Sequence, residues 1–276
     1  MKQNKGLKRN TIDKYYTKQN IVSLCLETIL SQITINSDSD LIIEPSAGNG
    51  SFINDIKQMS KNYRFYDIAP EHDEIMKQDY LNLDTSPFKT KFHKIHIVGN
   101  PPFGRQSSIA IQFIKKSCEF CDTLSFILPR SFKKDSLKKT FLLDFHLIYE
   151  MDLPEKSFLV DGLEHDVPCV FQIWEKKTYL REDKGKVEPV HFVFVKKNEQ
   201  PDISFRRVGV NAGTIDTNTE DKSIQSHYFI KFTNDKSIDE NIKLLKNAIF
   251  SHNNTVGPKS ISKQELISVF ELLFNN

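Results

Sequence analysis

Leu41-Ile42-Ile43-Glu44-Pro45-Ser46-Ala47-Gly48-Asn49-Gly50 is the stretch on which the fold turns. Three consecutive apolar residues read as a short, fully buried strand. Gly48 and Gly50 then let the backbone turn tightly without a Cβ clash. Residues 52–59 continue with helical patterning. A strand, a glycine turn and a helix in that order open an α/β unit.

Working outward, short apolar runs alternate with helical segments. Residues 63–66 predict a second strand, 75–76 a short third and 95–98 a fourth that ends in Gly99. Residues 109–117 read as a helix, and 124–128 as a fifth strand stopped by Pro129. Residues 141–151 and 167–174 supply two more strands. Alternation of this kind indicates a doubly wound parallel sheet covered on both faces. The last two strands lack an obvious helix between them, which suits an antiparallel pair. Upstream, residues 19–32 carry apolar groups at helical spacing.

After Trp174 the character changes. Residues 175–188 are nearly all charged or polar and suggest a linker. Strands are expected within 187–195, 203–210 and 228–232, and helices over 236–250 and after Ser262. Ser262 with Glu265 forms a capping box. The expected organisation is a basic arm over 1–18, the main domain over 19–175 and a small α+β extension over 176–276. That extension is a possible substrate-recognition region.

Composition narrows the function classes. The chain has 276 residues, 27% of them charged and 11% aromatic, which excludes a disordered chain. No run of about 18 apolar residues is present, so no membrane span is expected. The basic N-terminus lacks the apolar segment of a signal peptide. A soluble intracellular protein, cytoplasmic or nuclear, is expected. Four cysteines do not make a disulfide scaffold. Cys118 and Cys121 form a lone Cys-x-x-Cys, which cannot close a tetrahedral zinc site. They read as core residues, and no metal is expected.

Three features carry chemistry. The glycine loop lies where open α/β sheets bind ligands, at a strand's C-terminal end. Asp67 closes the second strand about twenty residues later, where an acidic side chain can accept bonds from two ribose hydroxyls. Asp79 follows the third strand and could accept from an adenine amine. The sharpest feature is Asn100-Pro101-Pro102-Phe103 at the mouth of the fourth strand. Neither proline has an amide donor, so this stiff loop presents acceptors. The Asn100 oxygen and the Pro101 carbonyl could grip a planar amine, with the Phe103 ring beside it.

Glu-Pro-x-x-Gly-x-Gly, Asp67, Asp79 and Asn-Pro-Pro-Phe, in that order, resemble the S-adenosylmethionine-dependent amino-methyltransferases. Among these the chain looks most like the adenine-N6 enzymes of DNA and RNA. The resemblance covers roughly residues 12–175. It implies a seven-stranded Rossmann-like methyltransferase sheet. Tyr15, Tyr16 and Thr17 resemble the family's N-terminal cofactor segment, although Lys18 stands where a Pro is usual. By resemblance, Glu44, Ser46, Gly48 and Gly50 would surround the methionine part of S-adenosylmethionine. Asp67 would hold its ribose and Asp79 its adenine. Asn100, Pro101, Pro102 and Phe103 would be catalytic, with Asn100 also bordering the cofactor.

The expected activity is methyl transfer to the N6 amine of adenine in nucleic acid, DNA being favoured over RNA. The base would be flipped out or already unpaired. Phe103 would stack on it. Phe158 could supply a second face, or could instead anchor its own loop. Arg130, Lys133 and Lys134 could meet phosphates near the site, and Arg206 and Arg207 could do so in the extension. Three other readings stay open: an RNA methyltransferase, a protein glutamine N5 methyltransferase, and a catalytically silent nucleic-acid-binding partner subunit.

The formal charge of +2 is a cancellation. Residues 36–84 hold ten acids against four bases, whereas residues 1–20 hold six bases against one acid. Phosphate contacts are therefore expected from the arm, from the region after Asn-Pro-Pro-Phe and from the extension.

Overall fold

The computed structural model describes residues 14–183, 185–250 and 259–275. Most of the expected basic arm, residues 1–13, lies outside the described residues. The chain divides into two compact units, Met1–Glu182 and Asp183–Asn276. Among the described residues no helix is long and apolar enough to cross a membrane.

In the first unit, β1 (Tyr16–Thr17) leads into α1 (Gln19–Gln32). β2 (Leu41–Glu44), α2 (Ile53–Met59), β3 (Asn62–Asp67) and β4 (Met76–Lys77) follow. Then come α3 (Ser86–Lys91), β5 (Ile95–Gly99), α4 (Ser108–Cys118) and β6 (Thr123–Pro129). The unit is completed by α5 (Asp135–Lys138), β7 (Phe145–Asp152), β8 (Phe158–Val160), β9 (Leu163–His165) and β10 (Cys169–Lys176). The central sheet has the order β4-β3-β2-β5-β6-β10-β7. β2, β3, β4, β5 and β6 are mutually parallel. β10 inserts between β6 and β7 and runs antiparallel to both. This is the doubly wound Rossmann-like sheet that the sequence predicts, with its last pair antiparallel.

Strand periodicity explains the two covered faces. Successive side chains point to opposite sides. Ile42, Val98 and Ile127 pack with Ile21, Val22, Cys25 and Ile56 from α1 and α2. Their neighbours Leu41, Ile43, Ile97 and Leu128 pack on the other face with Ala110, Phe113 and Ile114 from α4. β2 is buried at all four positions, which is why it reads as a continuous apolar run rather than an alternating one. Cys118 and Cys121 lie in this second face. Burial pushes the Cys118 thiol up to about 12.

The expected boundary at residue 175 falls within β10. The first unit also retains the residues just beyond it. The Arg181 guanidinium donates to the carbonyls of Phe145 and Phe141 and lies 5.4 Å from the Trp174 ring centroid.

The second unit comprises β11 (Phe192–Val195), β12 (Ile203–Arg206), β13 (Ile215–Asp216), β14 (His227–Phe232), α6 (Ile238–Lys246) and α7 (Lys263–Phe274). Its antiparallel sheet has the order β11-β14-β12-β13. Phe192, Ile203, Phe205 and Ile230 form its core with Leu245, Leu266 and Phe270. The Ser262 capping box is present, and Ser237 and Glu240 form a second one on α6.

Candidate active site

Because β2, β3 and β5 are parallel neighbours, the loops at their C-terminal ends meet along one sheet edge. There they enclose a cavity of about 700 Å³. Glu44, Ser46 and Gly48 come from the first loop, and Asp67 from the end of β3. Asp79 follows β4, and Asn100, Pro101, Pro102 and Phe103 follow β5. Tyr16 and Thr17 enter on β1. Segments far apart in sequence therefore line one space.

The loops are laced together. The Ser46 hydroxyl donates to the Asn100 carbonyl at 3.2 Å. The Gly48 N–H donates to the Asp67 carboxylate at 2.9 Å, and the Ala69 N–H donates to its other oxygen at 2.8 Å. Gly48 adopts φ +55° and Gly50 φ +84°. A Cβ on Gly50 would lie 2.8 Å from the Ile53 side chain. Gly50 is not among the cavity-lining residues. Its part is to close the turn into α2, not to touch a ligand.

Asn100 has a defined orientation. Its amide nitrogen donates to the Tyr15 carbonyl at 3.2 Å and to the Thr17 hydroxyl at 3.3 Å. A carbonyl can only accept, so the nitrogen must be the atom that faces Tyr15. The amide oxygen is then left buried without a partner. An unpaired buried acceptor costs about 1–3 kcal/mol. A ligand donor would remove that cost.

Glu44 is the second such group. It is 1% exposed, and its Oε2 has no partner. Burial, reinforced by the nearby charge of Asp67, pushes its carboxyl up to about 8. Glu44 is therefore protonated in the folded protein at neutral pH and ionised in the unfolded chain. The folded state binds the extra proton between the unfolded value near 4.5 and the folded value near 8. Stability is fully present below that window and falls as pH rises through it. Urea titrations of the ligand-free protein between about pH 5 and pH 8 are expected to lose up to about 4 kcal/mol on this account. The Glu44→Gln variant should lose that component of the pH dependence.

Asp79 is more committed than the sequence suggests. Its carboxylate accepts from the Leu81 N–H at 3.0 Å and from the Asn82 amide at 2.6 Å, capping the single 3₁₀ turn of Tyr80–Asn82. A ligand amine would share an oxygen already in use.

Other expected residues lie away from the cavity. Phe158 is fully buried and belongs to the hydrophobic core, so it presents no open stacking face. Its ring packs edge-on against Tyr15, and its strand β8 pairs with β1 and with β9. Phe158 is thus the anchor of a strap that carries Tyr15, Tyr16 and Thr17 to Asn100. Arg130 and Lys133 both pair with Asp152 on β7, at 3.2 and 2.6 Å. Lys138 pairs with Glu150 at 3.2 Å. The basic segment after β6, which could meet phosphates, is thus also met by acids on β7. Lys134 is half-buried before α5. In the second unit, Arg206 donates to the Val208 carbonyl and Arg207 to the Gln225 carbonyl.

Sequence reading missed Glu71 and Lys14. Glu71 accepts from the Tyr16 hydroxyl at 2.8 and 2.7 Å and is paired with Lys14. Its own N–H bonds the Gly48 carbonyl at 3.0 Å. The only local signal is the acid-rich loop after Asp67. Its partners lie more than fifty residues away.

The cavity wall formed by Asp67, Asp79 and Glu71 is rich in acceptors. It fits a ligand made of donors and positive charge: an ammonium, a sulfonium, ribose hydroxyls and an amine. S-Adenosylmethionine is such a molecule.

No protein-family description matches the chain, and no curated protein does. Solved structures of similar architecture exist. One is a proposed RNA methyltransferase from Pyrococcus horikoshii, at 18% identity, covering 63% of this chain and 92% of that one, with a TM-score of 0.44. Another is the N-methyltransferase NodS from Bradyrhizobium japonicum with S-adenosyl-L-homocysteine, at 11% identity, 57% and 86% coverage and a TM-score of 0.41. A third is magnesium protoporphyrin IX methyltransferase from Synechocystis with bound S-adenosylmethionine, at 12% identity, 58% and 79% coverage and a TM-score of 0.41.

Proposed function

We propose that the first unit is an S-adenosylmethionine-dependent methyltransferase whose acceptor is the N6 amine of adenine in nucleic acid, DNA in preference to RNA. The observation that carries this reading is the unpartnered Asn100 oxygen, buried and fixed by Tyr15 and Thr17 within Asn-Pro-Pro-Phe.

An exocyclic adenine amine is a poor nucleophile because its lone pair is delocalised into the ring. The Asn100 oxygen and the Pro101 carbonyl would accept its two N–H bonds and favour a pyramidal nitrogen. The Asn100 oxygen is held by the bonds of its amide nitrogen, so it would strengthen its hold as positive charge develops without reorganising. When bound, S-adenosylmethionine supplies a methyl group already activated by a sulfonium. The chain's remaining task is alignment. Ser46, by gripping the Asn100 carbonyl, ties the glycine loop to the acceptor loop. Phe103, half-buried beside the cavity, offers a stacking face worth about 1–3 kcal/mol to an extruded base.

The test is incubation of the protein with labelled cofactor and with DNA or RNA, followed by hydrolysis and mass spectrometry. N6-Methyladenine is expected, more in DNA. Its absence from both polymers would overturn the reading.

A further inference from the structure

The second unit contains a concave site of its own, about 840 Å³ in volume. We infer that it binds an unpaired nucleic-acid strand, seating a base against Phe194 and Tyr228 and phosphates against the surrounding cations.

The strand pattern brings the two rings together. Phe192 and Phe194 alternate on β11, and Tyr228, Ile230 and Phe232 alternate on β14. Phe192 stands opposite Phe232, and Phe194 opposite Ile230, so these residues share one face of the sheet. Most of that face is covered: Phe192 meets Phe270 of α7 edge-on. Phe194 and Tyr228 are only half-buried, and their rings meet edge-on at 5.4 Å.

Cations surround these rings. The Lys263 ammonium lies 4.3 Å from the Phe194 centroid and 5.9 Å from that of Tyr228. The Arg207 guanidinium lies 5.5 Å from the Tyr228 centroid. Lys196 and Lys197 also line the cavity, with Glu220 as the acid in its lining; Lys196 lies 4.0 Å from Glu199, and Lys197 donates to the Lys222 carbonyl. Among the described residues, neither Lys263 nor Arg207 has a carboxylate partner. In the first unit the basic segment after β6 is met by Asp152 and Glu150. Here Lys263 and Arg207 meet no such acid among the described residues.

Aromatic faces interleaved with cations match a strand that offers a planar base and an anionic phosphate at each step. An acidic peptide would satisfy the cations alone. The class of partner rests on the same reading as the proposed function, but the site and its residues do not overlap the cavity of the first unit.

The experiment is fluorescence anisotropy of the full chain with a labelled, short single-stranded oligonucleotide and no cofactor. Lys196→Glu/Lys263→Glu changes two exposed side chains. At about 0.1 M salt it should weaken binding roughly twenty-fold and lower the salt slope by about 1.4. Ultraviolet cross-linking, mapped by mass spectrometry, should place a base on Phe194 or Tyr228. Unchanged affinity in the double variant, cross-links confined to other residues, or equal displacement by poly-glutamate would overturn the inference. Normal methylation with any of those results would sink this site alone. Binding here without methyl transfer to either polymer would sink the proposed activity alone.

Discussion

Asn100→Ala is expected to slow methyl transfer by about 100- to 1,000-fold while leaving cofactor affinity within a few-fold of the parent. The magnitude is that of deleting one preorganised polar group that acts on developing charge. The amide oxygen is buried and unpartnered in the ligand-free protein, so its bond is reserved for something that arrives. Glu44 and Asp67, which also line the cavity, are untouched by the change. Single-turnover assays on an oligonucleotide, with calorimetric titration of the cofactor, separate the two effects. A complete loss of cofactor binding would show that Asn100 holds the cofactor rather than the amine. Thr17→Val removes one of the two bonds that orient Asn100 and should give a smaller loss of rate. Thr17→Ser, which keeps the hydroxyl, should restore most of it.

Phe158→Ala should destabilise the first unit by about 3–5 kcal/mol, the usual cost of emptying a buried phenylalanine site. For a unit of this size that corresponds to a fall in melting temperature of roughly 6–20 °C. The side chain is fully buried, and its strand is the one that holds β1. Loss of the ring also removes the edge-on contact to Tyr15, whose carbonyl orients Asn100. Activity should therefore fall even below the melting transition. Phe158→Leu keeps most of the volume and should recover most of the stability. A variant that melts like the parent but binds nucleic acid more weakly would restore Phe158 to a stacking role.

The strands were legible because burial on both faces produces continuous apolar runs. Leu41-Ile42-Ile43 and residues 123–129 announce themselves in this way. α1 was legible from Ile21, Leu24, Cys25, Ile29 and Leu30 at helical spacing, although the buried face is Ile21, Val22, Cys25, Leu26 and Ile29. β1, β8 and β9 were not, because strands of two or three residues show no periodicity. They exist through pairing with one another. The charge segments misled for a related reason. Counting along the chain credits Arg130 and Lys133 as a free basic patch, but β10 inserts beside β6 and brings β7 and its Asp152 within ion-pair reach.

The residue types at the mouth of the sheet were determined by sequence alone: an acceptor-only loop at Asn100–Phe103, a glycine turn, and carboxylates spaced one strand apart. Local backbone chemistry suffices for that, since prolines lack donors and glycines tolerate positive φ. Which oxygen of that mouth stays unpaired was decided only by tertiary structure. Asn100 could have turned either end of its amide outward. The Tyr15 carbonyl, delivered from 85 residues away by a strap anchored at Phe158, accepts from the nitrogen and leaves the oxygen without a partner.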